Sequence, residues 1–595
     1  MFGAKFTTGP VGQTRLISDD SKDSQTPGFS STFNLADFNF SPQVPSDTSA
    51  DMPKKNKNSQ FSNASQGPEM KKHELNSTER EGRGLKGSVE DGLKDLTNSV
   101  SDIKLTVEKP SSKTEGDLLV SARAFINRSV GAASFNGRAQ QIRMTPLLTW
   151  DGKLAQEKHT GFYTFDQISL LGYKTRDCLP SPAGNSNDPT EEELIEPIFL
   201  NTETPWSAFI CGSQGSGKSH ALSVLLENCL YEDRSIGRLP RPLSAVVFHY
   251  DNQSRGSVCE AAYLASLGIP VRVLASETNY ATLKAAYGKI PGAKANLTVQ
   301  EFVLRPEDLN TARLQTLMAF GEKNGHLPLY MTKVNQVLRV MARVHKDGGM
   351  LTLLRYQKFK RDLAALDLSD TQRGPLDLRV SLLEDYMKLN PPKNSGGPYL
   401  PLFTARPGEL TIVDLSTPLL DQAAACSLFN ICLELFLEAD NGVAKIVGLD
   451  EAHKYMGPTD ASAVFTNTLL HAVRLQRHAG VRMVISTQEP TVSPKLLDLC
   501  SMTFVHRFSS PDWFGVLSGH IAGLAKKPGE EGARDGRDLF QEIVELKVGE
   551  SYLFAPTAVL DVCDGNAIAL GAKGVRIKTR MRLSADGGVS RLAGE

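Results

Sequence analysis

One glycine-rich run has the residue types and the spacing that phosphate binding requires. Residues 212–219 read GSQGSGKS and match the pattern GxxxxGK[S/T] at every fixed position. Glycines let the backbone turn so that successive N–H groups face phosphate oxygens, while Lys218 can reach the β- and γ-phosphates and the Ser219 hydroxyl can hold Mg²⁺. The run therefore predicts a nucleotide site made of Gly212, Ser213, Gln214, Gly215, Ser216, Gly217, Lys218, Ser219 and His220.

Two carboxylates follow a second apolar run. Residues 446–449, with the sequence IVGL, precede Asp450 and Glu451. A buried strand would deliver Asp450 to the ligand edge of a sheet, where the carboxylate can hold Mg²⁺ through its water shell. Glu451 would then be placed to orient or deprotonate an attacking water. His453 is interpreted as a local hydrogen-bonding residue.

A third apolar run, residues 481–485, ends in the polar residues Ser486, Thr487 and Gln488. Some ATPases have an added strand between the phosphate-loop strand and the Asp-Glu strand, and the end of that strand lies beside the γ-phosphate. Gln488 is predicted to sense the nucleotide and to help position water. The alternative is an amide that caps the turn before Pro490.

Short apolar runs alternate with helical patterns along the sequence. The candidate strands are Trp206–Cys211, Ala245–His249, Val271–Leu274, Leu410–Val413, Ile446–Leu449 and Met483–Ser486. This alternation predicts an α/β fold with a mostly parallel sheet and helices on both faces. From about 310 to 386 the apolar period becomes helical, which predicts a helical insertion in the core.

Composition divides the protein into regions. Residues 1 to about 80 are rich in Ser, Asn, Gln, Pro and Lys. We predict a disordered region at 1–140, which is a candidate for contact with a protein partner. Within it, 88–108 has the spacing of a short amphipathic helix, either transient or self-associating. We predict a pre-core segment at 141–200, the α/β core at 201–585 and a flexible tail at 586–595.

Charge in the protein is balanced, with 66 Lys and Arg against 67 Asp and Glu. Attraction to a polyanion must therefore come from a local patch. The predicted insertion has such an excess of cations, at Lys333, Arg339, Arg343, Lys346, Arg355, Lys358, Lys360 and Arg361. Tyr356 and Phe359 could stack on bases, but their helical spacing with Leu363 favours packing in the core.

Near the C-terminus, cations alternate with other residues at Arg576, Lys578, Arg580 and Arg582. On a strand this alternation places all four on one face. Such a face suits either a polyanion or an edge strand that has to avoid aggregation.

The eight cysteines form no CxxC pair and mostly lie in apolar runs. This pattern favours reduced core thiols over a disulfide framework or a zinc site. No run of about 18 apolar residues is present, so the sequence predicts no membrane span. We expect a soluble intracellular protein, and the sequence does not distinguish the nucleus from the cytoplasm.

Several of these runs resemble HerA/FtsK-type ATPases. The matching runs are 412–416 (IVDLS), 449–455 (LDEAHKY), 474–482 (RLQRHAGVR), 486–490 (STQEP) and 505–508 (VHRF). The resemblance extends from about Trp206 to Leu583. It implies a RecA-like core, assembly into a ring that is commonly hexameric, and ATP-driven movement of a polymer, usually DNA, through the pore.

Ring ATPases of this type place an arginine against the nucleotide of the neighbouring subunit, where it can neutralise charge in the transition state. The resemblance implies Arg474, Arg477 and Arg507 as candidates. The protein departs from the family after Ala245–His249, where it lacks an Asp-Pro-His-Gly-Glu turn. It also shows no recognisable β-barrel pattern between Arg143 and Asn201.

Two functions are consistent with these motifs. The first is an Mg²⁺-dependent ATP hydrolase that forms a ring and moves along nucleic acid, as a translocase or helicase-like motor. The second is an ATP-dependent assembly protein that acts on a protein partner. A GTPase is disfavoured, because no Asn-Lys-x-Asp motif is present.

Overall fold

The computed structural model describes most of the protein beyond residue 142. The described residues are Arg123, 143–160, 165–175, 195–253, 256–318, 329–344, 351–387, 401–439, 441–524 and 536–587. Apart from Arg123, the predicted disordered region and its helix at 88–108 lie outside these residues, as do positions 588–595 of the predicted tail.

The strands of the described residues join in one mixed sheet. They are β1 (Leu147–Thr149), β2 (Ile168–Lys174), β3 (Pro197–Asn201), β4 (Ser207–Cys211), β5 (Gly237–Arg238), β6 (Ser244–His249), β7 (Val271–Ala275), β8 (Leu297–Glu301), β9 (Leu410–Asp414), β10 (Lys445–Leu449), β11 (Val481–Thr487), β12 (Met502–Val505), β13 (Glu550–Phe554), β14 (Val559–Cys563), β15 (Asn566–Ala569) and β16 (Gly574–Thr579). All six candidate strands are confirmed, within one or two residues at each end.

Helices connect most of these strands. They are α1 (Trp150–Thr160), α2 (Lys218–Leu230), α3 (Tyr280–Tyr287), α4 (Ala293–Asn296), α5 (Thr311–Met318), α6 (Leu329–Val344), α7 (Leu353–Ala364), α8 (Asp370–Tyr386), α9 (Gln422–Glu438), α10 (Asp460–Arg474), α11 (Gln476–Ala479), α12 (Pro494–Leu499), α13 (Pro511–His520) and α14 (Gly536–Val544). Short 3₁₀ helices lie at Glu260–Leu267, Glu277–Asn279, Pro306–Asp308, Ala452–Lys454 and Pro490–Val492. No helix within the described residues has both the length and the apolar character to cross a membrane.

The strand order identifies the core as RecA-like. Parallel neighbours run in the order β12-β4-β11-β10-β6-β9-β7-β8. Strand β11 therefore lies between β4, which leads into the phosphate loop, and β10, which leads into Asp450. The predicted added strand is present, and it brings the ends of β4, β10 and β11 to the same edge of the sheet.

Apolar residues cover both faces of these central strands, as expected for a buried parallel sheet. On one face, α2 packs against the sheet through Leu222 and Leu225. On the other face, α9 and α10 contribute Phe429 and Phe465, whose rings lie 5.0 and 6.0 Å from that of Phe248. The prediction of helices on both faces is confirmed.

The helical insertion is confirmed as helices α5–α8. Its apolar residues belong to the same core cluster as Phe429 and Phe465. Tyr356 and Phe359 are fully buried in that cluster, and the Tyr356 hydroxyl donates to Glu384 at 3.0 Å. Packing in the core, not stacking on bases, accounts for these two aromatic residues.

The antiparallel part of the sheet was not foreseen from the sequence. Strand β13 pairs with β12, and β16, β2, β3 and β1 continue the sheet outward. The pre-core segment 141–200 thus contributes strands that pair with strands near the C-terminus, where β1 also runs parallel to β14. Such pairing has no local signature, because the partners are distant in sequence.

The C-terminal cations are not a free charged face. Strand β16 lies between β13 and β2, so it is not an edge strand. Arg576 Nη2 lies 2.8 Å from Glu550, Arg580 Nη1 lies 2.8 Å from Glu227, and Arg582 Nη1 lies 2.6 Å from Glu260. These arginines form internal ion pairs, which makes both interpretations of the alternation wrong for them.

Residues 580–587, here called the C-terminal strap, cross helix α2 at Glu227. The Glu227 carboxylate is fully buried and accepts hydrogen bonds from Arg580, the Leu583 and Ser584 backbone N–H groups and the Ser584 hydroxyl. The strap also reaches the 3₁₀ helix at 260–267 through Arg582 and through Ala585, whose N–H donates to Ser266. It thus ties the helix after the phosphate loop to its neighbour.

We expect Glu227→Gln to destabilise the fold by about 3 kcal/mol, because the substitution leaves the buried Arg580 charge without its counter-charge. The apparent free energy of unfolding in urea measures the change. Glu232→Gln, at an exposed position just beyond the same helix, serves as the control and should change stability by less than about 0.5 kcal/mol. Equal stability of both variants would contradict this role of Glu227.

Candidate nucleotide site

The phosphate loop joins β4 to α2 and depends on its glycines. Gly212, Gly215 and Gly217 have φ values of 151°, 70° and 108°, which side chains disfavour. A Cβ on Gly217 would also lie 2.9 Å from the backbone nitrogen of Gly549. The N-cap residue of α2 is Gly217, which has no side chain to cap the helix. The first N–H groups of α2 are therefore available to an anion.

Lys218, the first residue of α2, is folded back over its own loop. Its Nζ donates to the Ser213 carbonyl oxygen at 3.0 Å. Burial lowers the pKa of the Lys218 amine, and the nearby Glu451 and Asp450 carboxylates oppose that shift. The Lys218 ammonium is therefore close enough to Glu451 and Asp450 to interact electrostatically with both carboxylates.

The other loop residues differ in their exposure to solvent. Gln214 and Gly215 are exposed, and Ser213 and Ser219 are half-buried. The Ser216 hydroxyl is buried and has no hydrogen-bond partner within the described residues. His220 lies in the first turn of α2, where its Nε2 is 2.8 Å from the Arg580 carbonyl oxygen of the C-terminal strap.

Asp450 lies directly after β10 and is buried. Its Oδ2 is 3.0 Å from His249 Nδ1 and accepts a weaker hydrogen bond from the Cys259 thiol at 3.7 Å. Burial alone would raise the pKa of Asp450, but the His249 hydrogen bond and charge and the Lys454 charge lower it, so the carboxylate is ionised. For His249, burial acts to lower the pKa, and Asp450 and Asp414 raise it overall.

The remaining oxygen of Asp450 fits a divalent cation. Oδ1 is buried and has no hydrogen-bond partner among the described residues. An ionised carboxylate oxygen without a partner is costly to bury and is a hard ligand of the kind that Mg²⁺ prefers. With the Ser219 hydroxyl, it is the part of the site that could hold the ion.

Glu451 and Gln488 are brought together. The Gln488 side-chain amide donates to both Glu451 carboxylate oxygens at 3.2 Å. Glu451 has φ 48° and ψ 48°, a left-handed conformation that is uncommon for a residue other than glycine and that occurs at functional sites. The end of β11 thus meets the turn after β10.

His453 connects the same two segments. Its Nδ1 accepts a hydrogen bond from the Gln488 backbone N–H at 3.4 Å. Burial lowers the pKa of His453, whose Nδ1 also lies 3.3 Å from Glu451 Oε2. The expected local hydrogen-bonding role matches this position.

The three candidate arginines lie in two places. Arg507 is exposed, and its carbonyl oxygen accepts hydrogen bonds from the Ser213 N–H at 2.9 Å and hydroxyl at 2.8 Å, so it lies beside the phosphate loop of its own subunit. Arg474 and Arg477 are exposed in α10 and α11, just before β11 begins at Val481. Because Gln488 follows the far end of β11, Arg474 and Arg477 lie at the opposite edge of the sheet.

His506 packs against the phosphate loop at Gly212, a role that no motif in the sequence indicates. It follows β12 and is fully buried, and a Cβ on Gly212 would lie 2.7 Å from its own Cβ. Burial, with the Lys218 charge, lowers the pKa of His506 to about 4. Its only sequence signal was membership of the VHRF run.

We expect His506 to make stability depend on pH. An unfolded protein protonates this histidine near pH 6.5, whereas the folded protein does so near pH 4. Above about pH 6.5 this histidine is neutral in both states and the free energy of unfolding is at its full value. As the pH falls towards 4, the unfolded protein takes up a proton that the folded protein does not, and the free energy of unfolding decreases by on the order of 3 kcal/mol in total. The free energy of unfolding of His506→Gln should decrease less over this interval than that of the unmodified protein.

The exposed His478 provides the control, because His478→Gln should leave the pH dependence unchanged. An unchanged pH dependence in His506→Gln would show that the histidine takes up its proton at the same pH in the folded and the unfolded protein, which would contradict the lowered pKa.

Comparisons with known proteins found similarity only among solved structures. No family model matches the protein, and no curated protein does. The structure of VirB4 of Thermoanaerobacter pseudethanolicus matches with 12% identity and a TM-score of 0.41, over 70% of this chain and 97% of that chain.

Two further matches have lower TM-scores. The genome packaging NTPase B204 from Sulfolobus turreted icosahedral virus 2, in complex with ATP-gammaS, has 9% identity and a TM-score of 0.25 over 64% of this chain and 100% of that chain. The cytoplasmic domain of the Thermomonospora curvata Type VII secretion ATPase EccC has 13% identity and a TM-score of 0.26 over 72% of this chain and 29% of that chain. One of these proteins is named as an NTPase and another as an ATPase.

Proposed function

We propose that the protein is an Mg²⁺-dependent ATP hydrolase. The observation that carries this proposal is the convergence of three strand ends at one edge of the sheet. There the loop that contains Lys218, the buried Asp450 and the Glu451–Gln488 pair lie together. A phosphate cradle, a metal-binding carboxylate and a base next to a polar sensor are the parts that phosphoryl transfer to water requires.

Each part has a distinct role. The N–H groups of the loop and the first turn of α2 bind phosphate oxygens, and Lys218 moves from the Ser213 carbonyl to the β- and γ-phosphates. Ser219 and Asp450 would hold Mg²⁺, which when bound would neutralise charge on the phosphates. The lowered pKa of Asp450 supports this role, because a cation binds the ionised form.

Glu451 acts as the general base. It accepts a proton from the attacking water, which is thereby directed at the γ-phosphorus. Gln488 holds the Glu451 carboxylate through its amide and contacts the γ-phosphate when ATP is bound. The hydrogen bond between the two residues supports a common function, since a change in one alters the orientation of the other.

We further propose that the protein works as a ring, as the resemblance implies. Arg474 and Arg477 lie at the edge of the sheet opposite their own phosphate loop, so they could serve only the site of a neighbouring subunit. Arg507 lies beside its own loop and would act within its own subunit or at the boundary between subunits. This arrangement supports Arg474 and Arg477 as the candidates that act in trans.

The proposed substrate of the motor is nucleic acid. Lys333, Arg339 and Arg343 are exposed on α6, and Lys360 and Arg361 are exposed on α7. A group of cations on the insertion supports salt-dependent binding to a phosphate backbone without sequence preference. Because Tyr356 and Phe359 are in the core, the contact would rest on charge alone.

One observation favours a protein partner as the second candidate. The same insertion exposes large apolar residues, with Val340 50%, Val344 67%, Leu354 75% and Leu378 73% exposed. These residues lie on α6, α7 and α8, and exposed apolar surface of this kind is typical of protein contacts when it is continuous. An ATPase that acts on an assembly of proteins would use this surface instead of the cations.

For the hydrolase, we expect Glu451→Gln to bind ATP and to lower kcat by roughly 10²–10⁴-fold, because the general base is lost. Lys218→Ala should weaken ATP binding itself. Steady-state hydrolysis and binding of a fluorescent ATP analogue measure the two effects. Glu489→Gln, at a neighbouring exposed carboxylate, is the matched control, and near-normal turnover in Glu451→Gln would remove Glu451 from the mechanism.

For the motor, we expect DNA or RNA to stimulate hydrolysis in low salt. The double substitution Arg339→Ala with Arg343→Ala should reduce both the stimulation and its salt dependence, because each lost phosphate contact lowers the salt slope by about 1. Lys289→Ala with Lys294→Ala, at exposed positions outside the insertion, is the control. Hydrolysis that no polymer stimulates, but that Lys218→Ala abolishes, would favour the protein partner.

A further inference from the structure

Three residues with different ligand atoms meet beside the nucleotide site. His249 ends β6 and Asp450 follows β10, and these strands are parallel neighbours in which Phe248 is paired with Leu449. Cys259 lies just before the 3₁₀ helix at 260–267. The strand pairing therefore places the histidine and the aspartate side by side, and the connection after β6 returns the cysteine to them.

The ligand atoms have the spacing of a metal site. His249 Nδ1 lies 3.0 Å and Cys259 Sγ lies 3.7 Å from Asp450 Oδ2, and the ligand atoms of all three residues lie within 4.8 Å of one another. In tetrahedral zinc coordination the edges between nitrogen, sulfur and oxygen ligands are about 3.4–3.6 Å. Two of the three separations are thus within about 0.4 Å of those edges before any metal draws the atoms together.

The cluster is buried and incompletely paired. His249, Cys259 and Asp450 are each less than a tenth exposed. His249 Nε2 and Asp450 Oδ1 have no hydrogen-bond partner within the described part of the protein. The atoms that face one another, His249 Nδ1, Cys259 Sγ and Asp450 Oδ2, are hydrogen-bonded among themselves, so a metal ion would replace those hydrogen bonds.

The donor set selects the kind of metal. A thiolate, an imidazole and a carboxylate together are typical ligands of Zn²⁺ and of other thiophilic divalent ions, whereas Mg²⁺ prefers oxygen ligands only. Catalytic zinc sites have three protein ligands and an open fourth position, whereas structural sites have four protein ligands, so this set of three is not that of a closed structural site.

We propose that His249, Cys259 and Asp450 bind a thiophilic divalent metal ion of the zinc class. On binding, the Cys259 thiol loses its proton to solvent, and the proton that His249 Nδ1 shares with Asp450 Oδ2 passes to solvent or to Nε2, so that the thiolate, the imidazole nitrogen and the carboxylate coordinate the ion. The cysteine spacing in the sequence disfavours a zinc site, because it contains no CxxC pair. The three ligands come from separate segments, so their proximity has no sequence motif.

A consequence rests on the proposed hydrolase function. Asp450 is the carboxylate assigned to Mg²⁺, and its coordination to zinc would withdraw it from that role. Zinc bound at this cluster would therefore inhibit hydrolysis by weakening the use of Mg²⁺.

The binding itself is tested with cobalt, which replaces zinc and reports its ligands by absorption. Full-length protein is treated with a chelator, freed of it and titrated with Co²⁺. We expect visible d–d bands of a tetrahedral site and a near-ultraviolet thiolate-to-cobalt band at one equivalent. The thiolate band should be lost in Cys259→Ser and retained in Cys563→Ser, where the cysteine is exposed and distant from the cluster in sequence.

A second variant, His249→Gln, tests the site independently in case Cys259→Ser does not fold. His249→Gln should keep the thiolate band but lower zinc affinity by at least about 100-fold in competition with a chromogenic chelator, which is the upper range for loss of an outer-shell partner. A folded unmodified protein without the thiolate band would overturn the proposal, as would a band that persists in Cys259→Ser.

The consequence is tested by ATP hydrolysis at increasing Mg²⁺, with free zinc set by a metal buffer because ATP chelates zinc. Zinc should raise the apparent KM for Mg²⁺ in the unmodified protein, and hydrolysis by Cys259→Ser should not respond to zinc. A cobalt band together with zinc-insensitive hydrolysis would overturn the consequence. A cobalt band in a protein that hydrolyses no ATP would support the metal site and contradict the proposed hydrolase.

Discussion

The buried ion pair between Glu227 and Arg580 joins the two parts of the molecule on which the nucleotide site depends. A carboxylate removed from water is tolerated only when its charge and its lone pairs are matched. Here Arg580 supplies the charge, and Leu583 and Ser584 supply the remaining donors. Residues 580–587 therefore help to hold helix α2, which carries the end of the phosphate loop, against the sheet.

The rest of the site follows from the direction of the strands. Parallel strands end at one edge, and the order β4-β11-β10-β6 brings the phosphate loop, Gln488, Asp450 and His249 to adjacent positions on it. Contacts at this edge are polar and buried, so each residue restricts its neighbours. His249 determines which Asp450 oxygen is free, and Gln488 determines where the Glu451 carboxylate points.

Local patterns predicted what local chemistry determines. The GSQGSGKS run specified the phosphate loop and apolar runs specified the core strands, while the likeness to ATPases with an added strand implied that β11 separates β4 from β10. What the sequence did not predict depends on partners far apart in the protein. The strands of 147–201 pair with those near the C-terminus. Arg576, Arg580 and Arg582 form ion pairs with internal carboxylates. His249 and Cys259 both contact Asp450. The alternation of cations near 580 is identical for a free surface and for a set of ion pairs, so pattern alone could not decide between them.

The position of the strap in the sequence affects how the protein is made. A ribosome completes α2 and must then synthesise residues 231–579 before Arg580 and Ser584 exist. Throughout that interval the nascent polypeptide has a carboxylate at position 227 whose native partners have not been translated, so native packing of α2 is postponed. The nucleotide pocket thus matures late in synthesis, after the sheet that surrounds it has been translated, and a polypeptide arrested before residue 580 lacks the contacts needed to complete it.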